Sequence, residues 1–162
     1  MKETTIQIPI KIYPENGTGL SEQLKNLVEQ AKNATETSYA AYSGFHVGAA
    51  LLLENGEVVC GSNQENAAYP AGICAERTAI FYANAHQPKV APVAIAIAAW
   101  RKTDKKFLAH PISPCGICRQ VLVETETRYK QKIKVLLYGD SGIYEVESAS
   151  QLLPFRFDSD AL

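Results

Sequence analysis

The chain has 162 residues, 46% of them hydrophobic and 20% charged, which fits one domain with a core that needs no staples. Its 16 basic and 17 acidic residues leave a formal net charge of -1, which argues against nucleic acid as a partner and for a small ligand. The longest apolar segment, Val90 to Trp100, contains Pro92 and is too short to span a bilayer, and the N-terminus shows no signal-peptide pattern.

Residues 1–20 read as an extension packed on the domain that follows, residues 21–162. Ile6, Ile8, Ile10 and Ile12 alternate with other residues as in a short strand, and Pro9 places that strand at a sheet edge, where a missing N–H costs no pairing. Ser21 caps a predicted helix with an apolar stripe of Leu24, Leu27, Val28 and Ala31. Phe45 to Leu53 and Glu57 to Gly61 form two strands around an Asn55-Gly56 turn. After a polar loop over 62–73, a helix is expected from Cys74 to Ala85. Val93 to Ala99 is nearly all apolar, the mark of an interior strand covered on both faces. Trp100 to Pro114 reads as a charged connection, Gly116 to Glu126 as a helix, and Ile133 to Tyr138 and Ile143 to Val146 as two strands, with a helical turn near Ser148 to Leu152. Helices alternating with strands imply a layered α/β domain.

Four cysteines are present. Cys115 and Cys118 stand three apart at a helix start, so both sulfurs can face one ion, and Cys74 stands at another helix start. Helix N-termini favour thiolates. Three thiolates hold a tetrahedral Zn²⁺ while leaving one position for water. Together with the ion they carry one net negative charge, which must be drawn off; Arg77 is the favoured donor, with Arg119 the other candidate. Glu76 diverges from Cys74 on the helix surface, which makes it a poor ligand and a good general acid/base. Cys60 ends an alternating strand and reads as a small core residue. The CxxC pair alone would equally suit a redox or structural role. In a reducing cytoplasm, the expected location, such close pairs mean metal or redox chemistry more often than disulfides.

Five blocks carry a resemblance: Tyr42-Ser43-Gly44-Phe45-His46-Val47-Gly48-Ala49-Ala50-Leu51, Gly61-Ser62-Asn63-Gln64-Glu65-Asn66-Ala67-Ala68-Tyr69, Cys74-Ala75-Glu76-Arg77-Thr78-Ala79, Ser113-Pro114-Cys115-Gly116-Ile117-Cys118-Arg119-Gln120 and Leu152-Leu153-Pro154. With them the chain resembles the small, homotetrameric cytidine deaminases that use three cysteines for zinc. The resemblance implies a three-layer α/β/α cytidine deaminase-like fold with a mixed five-stranded sheet. It implies one Zn²⁺ per subunit on Cys74, Cys115 and Cys118, and Glu76 as the catalytic residue. Phe45 would pack on the pyrimidine, Asn63 and Glu65 would bind the ribose 3′-hydroxyl, and Ala75 would read the base through its backbone. Tyr69 would lie at a subunit boundary, in a homotetramer with active sites near its interfaces. From pattern alone, Phe45 reads as a core aromatic, Glu65 as solvated surface and Tyr69 as a loop anchor.

The implied reaction is hydrolysis of cytidine and deoxycytidine to uridine and deoxyuridine, in pyrimidine salvage. With no phosphate-binding loop in view, nucleosides are favoured over nucleotides. Three other readings stay open: a deaminase of the same fold acting on a modified or antibiotic nucleoside, a noncatalytic zinc-stabilised binding protein, and a thiol–disulfide protein built on Cys115 and Cys118. The segment from Arg101 to His110, longer and more charged than the resemblance accounts for, reads as a solvated loop or as a part of gating or assembly.

Overall fold

A computed structural model describes residues 1–158; the last four positions of the predicted domain lie outside them. Seven strands form one mixed sheet: β1 (Lys11–Tyr13), β2 (Phe45–Leu53), β3 (Val58–Ser62), β4 (Pro92–Arg101), β5 (Lys106–Phe107), β6 (Lys134–Gly139) and β7 (Gly142–Val146). Their order is β1-β7-β6-β4-β2-β3, with β5 paired to β4 off this path. Among the described residues, three α-helices accompany them: α1 (Glu22–Ala34), α2 (Ala75–His86) and α3 (Gly116–Tyr129).

The predicted five-stranded sheet is therefore corrected to seven. One added strand is β1, which pairs antiparallel with β7 from Lys11↔Glu145 to Tyr13↔Ile143. It is shorter than the isoleucine alternation suggested, and Ile6, Ile8 and Ile10 precede it, exposed. Buried Glu145 fastens it: its carboxylate accepts from Lys11 at 2.9 Å, Tyr13 at 3.1 Å and Lys134 at 3.2 Å. Burial pushes the Glu145 acid upward, but the two lysines outweigh that and hold it below its ordinary value. The other added strand, β5, folds back so that Phe107 meets Trp100 and Lys106 meets Arg101. Two residues among lysines carry too little pattern to be seen in sequence.

Alternation along the inner strands divides two cores. Ile95 and Ile97 of β4, with Ala49, Leu51 and Leu53 of β2, pack into a cluster that also holds Ala79 and Ile80 of α2 and Leu122 of α3. Ala94, Ala96 and Ala98, with Ala50 and Leu52, face the other way onto Leu27, Val28 and Ala31 of α1. The expectation that β4 is covered on both faces holds, and small residues on one of its faces let α1 lie close. Ser21 caps α1, its hydroxyl accepting from the Leu24 amide at 3.4 Å. β4 and β6 are parallel, joined through α3, while the other pairings are antiparallel.

Gly61 of β3 sets how closely α2 approaches. A Cβ there would stand 2.5 Å from the Ala75 carbonyl oxygen and 2.6 Å from the Ala79 nitrogen. Gly61→Ala should therefore push back the helix that carries Cys74 and Glu76 at its start. A cost of about 1–3 kcal/mol is expected for such overpacking, visible in thermal unfolding as a Tm lowered by several degrees. An unchanged Tm would show that the α2–β3 contact is slack.

Cys60 is corrected as well. It is exposed, on the sheet-edge strand β3, with Gln30 of α1 as its neighbour at 3.7 Å. Among the described residues no helix is long and apolar enough to cross a membrane.

Candidate metal centre

Two helix starts meet at one point. Cys74 is the residue before α2, and Cys115 the residue before α3; both have extended backbone there. Cys118 lies in the first turn of α3 and is fully buried. The three sulfurs all lie within 4.8 Å of one another, and Cys74 Sγ and Cys115 Sγ are 3.8 Å apart. A tetrahedral zinc ion with Zn–S bonds near 2.3 Å needs sulfurs about 3.8 Å apart. The donor set therefore fits zinc in kind and in spacing. No other histidine, cysteine or carboxylate among the described residues joins this group, so the cluster offers three ligands rather than the four of a closed structural site.

Arg77 stands one turn from Cys74, with Nη2 3.8 Å from its sulfur. Its Nε is buried without a hydrogen-bond partner among the described residues. A guanidinium held against sulfur at that cost is explained by negative charge on the thiolates. As free thiols the group already gathers charge: Cys74 is pulled down to about 5, chiefly by a hydrogen bond from Cys118 and against burial, with Arg77 and Cys115 adding to it. Cys118 is pushed up correspondingly by its bond to Cys74 and by burial. Arg119 is engaged elsewhere, donating to the Pro114 carbonyl at 2.8 Å and to the Leu152 carbonyl at 3.0 Å. It ties the cysteine loop to the chain end instead of neutralising sulfur.

Glu76 is 5% exposed. Burial lifts its acid above the ordinary carboxylate range, and the Cys74 charge lifts it further; its own backbone N–H and Cys118 oppose the rise. A carboxyl so placed beside a thiolate cluster holds its proton more readily than an exposed one.

The residues expected at the sugar and base form an adjoining group. Asn63 clamps the start of β2: its Nδ2 donates to the Phe45 carbonyl at 2.9 Å and its Oδ1 accepts from the Val47 amide at 2.8 Å. Glu65 accepts from the amides of Tyr42 at 2.8 Å and Ser43 at 3.2 Å, and from the Ser43 hydroxyl at 2.5 Å. The Ser43 bond leads in holding the Glu65 acid below its usual range. Ser43 is the residue that sequence reasoning missed; only its place in the turn before Phe45 hinted at it. Gln64 joins this loop to the metal centre, exchanging backbone hydrogen bonds with Ile73, each 2.9 Å, one residue before Cys74. Ala75 is fully buried, with its carbonyl toward Gly61. Tyr69 is 79% exposed, its ring edge-on to Tyr42 at 6.4 Å.

A soft three-sulfur site with a buried carboxyl at its side belongs to the class of metal-dependent hydrolases that activate water. Comparison with known proteins makes this specific. Residues 21–133 match the family described as the cytidine and deoxycytidylate deaminase zinc-binding region. The cytidine deaminase of Halalkalibacterium halodurans is 41% identical over 134 residues, which cover 83% of this chain and 93% of that protein. That of Sporosarcina psychrophila is 37% identical over 139 residues, covering 86% and 94%. The crystal structure of cytidine deaminase from Burkholderia pseudomallei superposes with a TM-score of 0.69 at 41% identity, covering 85% of this chain and all of the other. The chain belongs to the cytidine and deoxycytidylate deaminase family.

Proposed function

We propose that this protein hydrolyses the exocyclic amine of cytidine and deoxycytidine, giving uridine or deoxyuridine and ammonia, with one Zn²⁺ held by Cys74, Cys115 and Cys118. The observation that carries this reading is the three-sulfur cluster with buried Glu76 beside it. When bound, the ion supplies Lewis acidity that makes water a nucleophile at neutral pH.

The chain's own groups then manage protons and position. Glu76 takes the proton of the attacking water and gives it to N3 as oxygen adds to C4. It next takes the remaining proton from the new C4 hydroxyl and passes it to the amine, so that the C4–N bond breaks, ammonia leaves and the C4 carbonyl forms. Burial raises its pKa, which makes the carboxylate a better proton acceptor than an exposed one. Arg77 offsets the charge of the sulfurs, which its position against Cys74 supports. Ala75 reads the base edge by its backbone, and Phe45 packs on the pyrimidine.

Asn63 and Glu65 take the ribose 3′-hydroxyl. An ionised carboxylate offers about four acceptor sites, and Glu65 uses three of them within the protein. One remains for a sugar hydroxyl, and Asn63 keeps one N–H to donate. Both residues are pinned, so the site is formed before the sugar arrives. Tyr69 belongs at a subunit boundary in a homotetramer, which its exposure supports. Three reduced thiols at the working site suit a reducing cytoplasm.

The test is steady-state turnover with zinc measured on the same sample. Cytidine and deoxycytidine should both be converted, with ammonia released in step. A 3′-deoxy analogue should lose at least about 100-fold in kcat/KM, because it leaves polar groups unpaired. Zinc without ammonia release would establish a binding protein instead, and full turnover of the 3′-deoxy analogue would remove Asn63 and Glu65 from the sugar.

A further inference from the structure

On the α1 side of the sheet lies a cavity of about 580 Å³, within the usual range for small-molecule sites of about 300–1,000 Å³. Lys32, Trp100, Lys102, Lys105, Lys106 and Phe107 line it, while the cysteines, Glu76, Asn63 and Glu65 do not. It exists because β5 folds back on β4, and so it accounts for the charged 101–110 segment that deamination leaves without a task. Lys105 holds φ at 50° at the turn between these strands, a left-handed conformation uncommon for a side chain this long.

The wall and the charges are of different kinds. Trp100 is fixed: its indole N–H donates to Thr35 Oγ1 at 3.0 Å, and its ring stacks on His46 at 4.1 Å with the planes 9° apart. Phe107 is held edge-on against Tyr138. Lys32 is engaged, 2.8 Å from Glu29 and over the Phe107 and Tyr138 rings at 5.6 and 4.7 Å. Lys102, Lys105 and Lys106 have no ion-pair partner among the described residues. Among the described residues, Glu36 is the one acid in the lining. A protein with a net charge of -1 thus gathers three lysines without an ion-pair partner against one glutamate around an aromatic wall, Lys32 being balanced by Glu29.

We infer that this cavity is a second ligand site, for a polyphosphate-bearing nucleotide. Lysine ammonium groups on flexible stems act as point charges for phosphate oxygens, and the Trp100 and Phe107 wall takes a flat base. Two or three phosphates answer the excess of positive charge; a nucleoside alone leaves it unanswered.

Trp100 is the chain's single tryptophan, so its fluorescence reports this cavity. The zinc-loaded full chain is titrated at low ionic strength with ATP, and in parallel with adenosine and inorganic tripolyphosphate. The expected result is a saturable response to ATP, at least about tenfold weaker binding of tripolyphosphate, and none to adenosine. Replacing Lys102, Lys105 and Lys106 together by Ala should weaken ATP by about tenfold or more and leave cytidine turnover, assayed without ATP, unchanged. No saturable response, equal binding by the triple variant, equal binding of tripolyphosphate, or displacement of ATP by cytidine would overturn the assignment. So would loss of basal turnover in the triple variant, which would tie these lysines to the deaminase site. Because turnover is read without ATP, the failure of either site is recognisable by itself.

Discussion

Replacing Glu76 by Gln should lower kcat for cytidine by about 10²–10⁴-fold, the usual worth of a positioned general acid/base, while zinc content stays near one ion per chain. The difference amounts to about 3–5 kcal/mol of barrier, at 1.36 kcal/mol per factor of ten. Glutamine matches the shape of glutamate and keeps polar atoms in a site that is 5% exposed, so the fold has no reason to yield. What it loses is the proton it would carry to N3 and to the amine. The three sulfurs, within 4.8 Å of one another without Glu76, do not need it to hold the ion. Zinc analysis and steady-state kinetics on one preparation decide the matter. Loss of metal, with normal turnover per remaining ion, would make Glu76 a structural residue.

Cys118→Ala should abolish both zinc retention and turnover. Mutating an outer partner of a metal site costs about 10–100-fold in affinity, so deleting one of three ligands is expected to cost more than about 100-fold. Two sulfurs left at 3.8 Å make a poor tetrahedral site. The missing atom also leaves a hole at a fully buried position of α3, of which thermal unfolding gives a separate measure. Metal titration of the purified variant is the direct check. The thiol–disulfide reading predicts the opposite pattern for the normal chain: activity that persists after zinc is removed by a chelator. Chelator-resistant turnover would therefore end the metal assignment.

Much of this was legible before any tertiary contact was known. Ser21, the apolar stripe of α1, the Asn55-Gly56 turn and the nearly continuous apolar run of β4 are local signals, and each produced the element it announced. The cysteine placements at two helix starts were equally local. Three features were not legible, for one reason. β5 is defined only by pairing with β4, the bounds of β1, a strand the isoleucine alternation announced, only by the length of β7 offered to it, and the exposure of Cys60 only by the position of β3 at the sheet edge. Pairing partners and edges belong to the whole sheet. Ser43 escaped notice likewise, because its role consists of holding a carboxylate 22 residues away.

The amino-acid order alone fixed the chemistry on offer: soft donors, one adjacent acid, a nearby guanidinium and the helix starts that present them, since each follows from residue type and short spacing. Only the folded chain decided that the two helix starts converge, that Glu76 is buried beside the sulfurs, that the sheet has seven strands, and that lysines from one hairpin surround Trp100. Those outcomes depend on contacts between distant segments, where backbone pairing and close packing, as at Gly61, select one arrangement that no local pattern encodes.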